Sequence, residues 1–137
     1  NTDIAGLVNF IYGEMRAYPK LELMPEKYSY EIPKDTGTGK AYSNLILLDT
    51  SLLRHTPIPF LVHDSILFKN VENKAIENIL HVYQSLTQQS FISLDGEIVE
   101  SKSAKLLVEA CAVVYLNAEK LLYTKDWRAQ ENKVQAE

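Results

Sequence analysis

Two short stretches carry residue types able to do chemistry: Thr36-Gly37-Thr38-Gly39-Lys40 and His63-Asp64-Ser65. The first has the glycines, hydroxyls and lysine of a phosphate-binding loop. In a Walker A loop, G-x-x-x-x-G-K-[ST], backbone N–H groups cradle phosphate, the lysine reaches the β/γ oxygens and the hydroxyl holds Mg²⁺. Aligned on Gly39 and Lys40, that pattern puts its first glycine on Lys34 and its Mg²⁺ hydroxyl on Ala41. The Walker A reading fails at both positions. What remains is a small, hydroxyl-bearing loop ahead of an apolar helix, whose free N–H groups and dipole favour an anion.

The second stretch follows Ile58-Pro59-Phe60-Leu61-Val62, a short continuous apolar run. Such a run predicts a strand buried on both faces of a parallel sheet, with Pro59 tolerated only at its start. Asp64 then falls at the carboxyl edge of the sheet, where open α/β folds bind ligands. A carboxylate there is a hard oxygen ligand of the kind Mg²⁺ prefers. It serves equally well as a cap for the helix that follows. His63 is a candidate base, although neighbours on a strand point to opposite faces.

The elements that must position these residues are read from periodicity. Ile4, Leu7, Val8, Ile11 and Met15 predict a helix from Ile4 to Tyr18, capped by Thr2 or Asp3 and ended by Pro19. Tyr28, Tyr30 and Ile32 alternate as a half-buried strand stopped by Pro33. Lys34 to Gly39 reads as a loop, and from Lys40 the period is helical and so apolar that the helix must be mostly buried. A further helix is expected over Asn73–Thr87, with Ile76, Ile79, Leu80 and Tyr83 on one face, then a buried strand at Phe91–Leu94 ahead of Asp95. Ser101–Ala110 reads as helix, and Val113–Leu116 and Leu121–Tyr123 as strands of a hairpin around Asn117 to Lys120. Strand alternating with helix predicts an α/β fold with a mostly parallel sheet and flanking helices. One domain is expected over residues 1–127, with a polar, fraying tail at 128–137.

Bulk properties exclude several classes. The 137 residues suffice for one core, and 46% hydrophobic with 23% charged residues is ordinary for a globular chain. A net charge of −4 leaves no nucleic-acid footprint over the whole chain. Lys120, Lys125 and Arg128, anchored by Trp127, offer only a small basic edge. Cys111 is alone, which fits a reducing cytoplasm, and no apolar run is long enough to span a bilayer. His55, His63 and His81 lack the spacing and cysteine neighbours of a zinc site. Asp95, Glu97 and Glu100 read as a solvated acidic loop, and the tyrosines fall at packing positions.

Taken in order, a glycine-bearing loop, an apolar helix, an apolar strand ending in Asp64, a helix and a strand ending at Asp95 resemble the C-terminal lobe of ABC-type ATPases of the SMC family. "GTGKAYSNLILLD…PFLVHDS" resembles more closely the domain of unknown function that ends YydD-type SMC-like ATPases, over residues 1 to 127. The resemblance implies that Thr36, Gly37, Thr38, Gly39 and Lys40 form a signature loop touching the γ-phosphate of ATP on an opposite head. It implies that Asp64 is the Walker B carboxylate on Mg²⁺. It also implies a longer parent with an N-terminal Walker A lobe, a coiled coil and a homodimer of heads, in DNA maintenance or defence with possible DNA contact. The opening at Asn-Thr-Asp rather than Met agrees with a piece of such a parent. Two positions depart from the family: Ser65 stands where a catalytic Glu is usual, and Asp95 where a switch His is usual. These departures favour the alternative of a non-catalytic dimerisation module that retains the ATPase fold.

Overall fold

The computed structural model describes residues 1–13, 16–32, 38–117 and 119–122, with residues 38–40 described in backbone only. It is a small α/β structure whose described elements are four α-helices and two two-stranded sheets, one antiparallel and one parallel. The chain divides into two compact units, Asn1–Leu107 and Val108–Glu137.

In the first unit, helix α1 spans Thr2–Tyr12 and buries Ile4, Leu7, Val8 and Ile11, the helical stripe expected from their spacing. It ends six residues before the predicted stop. Gly13 adopts φ 70°, a left-handed conformation that costs glycine nothing, and its N–H closes the helix on the Asn9 carbonyl. The N-cap position is Asn1, not Thr2 or Asp3, and its amide is spent elsewhere. Asn1 Nδ2 donates to the Leu21 carbonyl at 3.0 Å and Asn1 Oδ1 accepts the Leu21 N–H at 2.8 Å.

Leu21 belongs to β1 (Lys20–Leu23), a strand not anticipated by the sequence reading, which pairs antiparallel with β2 (Tyr28–Glu31). Lys20 faces Glu31 and Leu23 faces Tyr28. The turn closes with Met24 N–H on the Lys27 carbonyl at 2.8 Å, with Pro25 at the corner position that its fixed φ suits.

Helix α2 spans Thr38–His55, beginning two residues before Lys40. Its neighbours close its C-terminal end: Gln88 Nε2 donates to the Leu53 carbonyl at 2.9 Å and Thr56 Oγ1 to the Leu52 carbonyl at 2.7 Å. Arg54 and His55 in that last turn lie 3.3 and 3.5 Å from the Asp3 carboxylate in the first turn of α1. Both ends are then matched to their helix dipoles. Ile46, Leu47 and Leu53 are fully buried, whereas Leu45 is exposed, so the helix is less enclosed than its composition suggests.

Strand β3 (Phe60–His63) pairs parallel with β4 (Gln89–Ile92), in register from Phe60 on Gln89 to His63 on Ile92. Between them lie a 3₁₀ turn at Ser65–Leu67 and helix α3 (Asn73–Gln84). Helix α1 packs on α2 and α3, and α2 packs on β3 and the 3₁₀ turn. The expected burial of β3 on both faces is corrected. Leu61 and His63 point into the core, but Phe60 and Val62 are 50% and 66% exposed. Phe91 of β4, 52% exposed, stacks edge-on against Phe60 at 6.0 Å on the same outer face. No described element covers that face.

Helix α4 runs Lys102–Cys111, close to the expected span. In the second unit the expected strand at Val113–Leu116 is absent, and residues 112–117 carry no secondary structure. The turn itself forms: Asn117 N–H donates to the Lys120 carbonyl, and Asn117 Oδ1 accepts the N–H groups of Glu119 and Lys120. Its apolar arms are exposed, Val113 by 93%. A hairpin needs a hydrophobic face to rest on, and a turn alone does not supply one. Tyr123 and the tail at 128–137 lie outside the described residues.

Candidate functional site

The site is built at the carboxyl ends of β3 and β4. Parallel pairing brings both ends to one edge, and the ladder continues one bond further through Ser93 N–H on the His63 carbonyl at 2.9 Å. Asp64 leaves β3 at this edge with its side chain exposed. Its Oδ1 accepts the Ile66 N–H at 3.0 Å, capping the 3₁₀ turn, and lies 3.5 Å from Ser65 Oγ. Oδ2 takes no hydrogen bond among the described residues. Asp64 is therefore both a cap and a carboxylate with one oxygen free.

Asp95 comes three residues after β4 and is exposed. Its carbonyl accepts the Ile98 N–H at 3.0 Å and its Oδ1 faces the Glu97 N–H at 3.4 Å, so it starts a turn. Glu97 and Glu100 are exposed, as the solvated-loop reading expects. Ser65 is half-buried, in the first position of the 3₁₀ turn.

His63 is 4% exposed, and both its ring nitrogens are engaged. Nδ1 lies 2.6 Å from Tyr83 Oη of α3, and Nε2 lies 3.1 Å from Asp49 Oδ2 of α2. In this chain the His63 ring, expected as a candidate base, is thus occupied by Tyr83 and Asp49. Burial, then the negative charge of Asp49, pushes the Tyr83 phenol above its ordinary range, and the same two causes raise Tyr30. Tyr30 O–H donates to the Asn44 carbonyl of α2 at 2.8 Å. Asp49 and Tyr83 were not singled out by site reasoning. The signal for Asp49 was nonetheless present: a lone carboxylate flanked by Leu45–Leu48 and Leu52–Leu53 calls for a polar partner.

Thr36 and Gly37 lie outside the described residues, while Thr38, Gly39 and Lys40 open α2 in place of the expected loop. Asp49, level with His63, stands 11 residues after Thr38, hence roughly 16 Å along the helix axis at about 1.5 Å per residue. The helix start is thus remote from the strand end within one chain.

Among the described residues no three His, Cys, Asp or Glu side chains cluster as a ready-made metal cage. Asp64 fits Mg²⁺ as one oxygen ligand. That suits a cation which keeps waters and takes its other ligands from a nucleotide or another lobe. Among the described residues no helix is long and apolar enough to cross a membrane.

Neither the curated proteins nor the solved structures contain a match to this chain. One family model does match, over residues 7–126, from the end of α1's first two turns to beyond the Asn117–Lys120 turn. The chain that carries this parallel strand pair and its edge aspartate belongs to DUF2326, a family described as uncharacterised proteins conserved in bacteria.

Proposed function

We propose that this chain is the C-terminal lobe of an SMC-like ATPase head of the YydD type, completed by an N-terminal lobe of the same parent and by a second head. The observation that carries the reading is the parallel β3–β4 pair. Parallel sheets occur with both faces covered and rarely as two isolated strands. Here Phe60, Val62 and Phe91 leave one face apolar and bare, directly beside the edge that presents Asp64. A lobe adding strands and a covering layer would bury that face and enclose the edge. Asp64 would hold Mg²⁺ on ATP. Bound there, Mg²⁺ would neutralise phosphate charge and fix the orientation of the nucleotide. The start of α2, roughly 16 Å along the helix from the level of His63, would then serve a nucleotide on the opposite head, as a signature loop acting in trans requires. DNA maintenance or defence remains the setting that the resemblance suggests.

Ser65 and Asp95 favour the second reading, a dimerisation module that has kept the fold. A serine offers no carboxylate base, and an ionised aspartate cannot donate to a phosphate oxygen. On the second reading the fold serves only to dimerise, so the two readings part at nucleotide binding and turnover.

The test is to combine this chain with the upstream region of its parent protein. Expected outcomes are slower hydrogen exchange at β3 and β4, and Mg²⁺-dependent ATP binding that Asp64→Asn weakens while Ser65→Ala leaves it nearly unchanged. Unprotected β3 and β4 amides, together with ATP affinity indifferent to Asp64→Asn, would sink the proposal.

A further inference from the structure

The Tyr83–His63–Asp49 chain engages both ring nitrogens: Nδ1 lies 2.6 Å from Tyr83 Oη and Nε2 lies 3.1 Å from Asp49 Oδ2. A carboxylate only accepts, so the hydrogen between Nε2 and Asp49 belongs on Nε2. Tyr83 O–H donating to Nδ1 completes the chain around a neutral ring. One imidazole thus ties α3, β3 and α2 together through two directed bonds.

His63 alternates with Leu61 on the inner face of β3, its ring packed edge-on against Tyr83. A leucine there would leave the buried Tyr83 hydroxyl without this partner and take one from Asp49, a carboxylate that is 35% exposed. Burying a polar chain sacrifices stability and returns directional control of one ring. The backbone of the same residue is also held, through its carbonyl on Ser93 N–H. The next residue is Asp64.

We propose that His63, clamped between Asp49 and Tyr83, is a positioning residue for Asp64, fixing the strand end from which that carboxylate reaches its cation. This inference rests on the reading of Asp64 as the Mg²⁺–nucleotide carboxylate. Residues that orient a ligand without touching the metal commonly change metal affinity by about 10- to 100-fold when removed. Glutamine at position 63 keeps one donor and one acceptor, whereas leucine keeps neither.

Two measurements test it. In the 137-residue chain, ¹⁵N shifts of the His63 ring should show hydrogen on Nε2 and a bare Nδ1; hydrogen on Nδ1 overturns the clamp itself. In the full-length protein, His63→Leu should weaken Mg²⁺-dependent ATP binding by about tenfold, and His63→Gln should restore most of the loss. If His63→Leu fails to fold, Tyr83→Phe removes a single hydroxyl and takes its place, with a smaller loss expected. Unchanged affinity in these variants, alongside a loss in Asp64→Asn, overturns the positioning role while leaving the ATP site standing. Unchanged affinity in Asp64→Asn as well removes the ATP reading and the positioning role with it, whatever the ring shifts show.

Discussion

The two small sheets are built on opposite plans. The β1–β2 pair is local: four residues lie between its strands, a Pro25 turn closes it, and Asn1 pins its outer edge through two bonds to Leu21. The β3–β4 pair is non-local: 25 residues separate Ile92's partner His63 from Gln89, and the crossover helix α3 lies between the strands in the chain. A local hairpin tolerates solvent on both sides because its register is set by its turn. A parallel pair has no turn to set its register and depends on the layers that cover it. Here one layer is present, and no described element covers the other face.

The comparison is broken most directly by treating the two faces of β3 separately. Leu61 is 8% exposed and Val62 66% exposed, although they are adjacent. Leu61→Ala should cost about 2–4 kcal/mol, the range for a buried leucine that leaves a cavity. Val62→Ala should cost within about 0.5 kcal/mol in the isolated chain, as for a surface position. Urea denaturation of the two variants decides it. Equal losses would mean that the outer face is already covered, and the case for a missing lobe would fall.

A second effect, smaller under ordinary conditions, separates the sheets by pH. Tyr83, tied to β3, and Tyr30, on β2, both have phenols raised above the usual value near 10, by burial first and Asp49 second. A raised folded value means that the unfolded chain loses its proton first. Their stabilisation is complete below about pH 10 and is lost as pH rises beyond it. Tyr83 is the more buried of the two, so Tyr83→Phe should flatten the fall in melting temperature between about pH 9.5 and 11 more than Tyr30→Phe does. The reverse order would place the stronger coupling at the hairpin.

What the sequence disclosed follows the same division. Periodic runs with several apolar residues were readable: the Ile4–Ile11 stripe, the α3 face, and the existence and parallel order of β3 and β4. Boundaries set by one backbone angle were not, and Gly13 ended α1 before Pro19 was reached. β1 was missed because Lys20-Leu21-Glu22-Leu23 has strand alternation but only four residues, too few to stand out without its partner. The burial of β3 was overestimated because an apolar run records what a strand is suited to meet, not what one chain supplies. At the candidate site, the place of Asp64 directly after a strand was legible. The pairing of His63 with Asp49 and Tyr83 was hidden, since residues 14 and 20 apart in sequence meet only through packing.

The smallest expected effect concerns the outer tether of the crossover. Glu77, on the solvent side of α3, accepts a hydrogen bond from Ser103 Oγ in the first turn of α4, and Ser101 lends a second interaction. Ser101 Oγ in turn accepts the Ala104 N–H, so the start of α4 is capped by the residue beside that contact. Bonds from Ser103, then Ser101, hold the Glu77 carboxyl below its ordinary value of 4.5. A depressed folded value gives stabilisation that is present above the unfolded value and is lost as pH falls through the folded one. The loss should therefore appear below about pH 4.5 and be confined to the α3–α4 junction, because Glu77 lies at the surface and is screened by water. Hydrogen exchange at Ala104 and Lys105 should quicken between pH 5 and 3 relative to the amides of β1 and β2, after correction for the intrinsic pH dependence. Glu77→Gln should show the quicker exchange at both pH values. If the α4 amides track the hairpin amides across that range, the crossover is held by its buried face alone, and the parallel pair owes nothing to its outer surface.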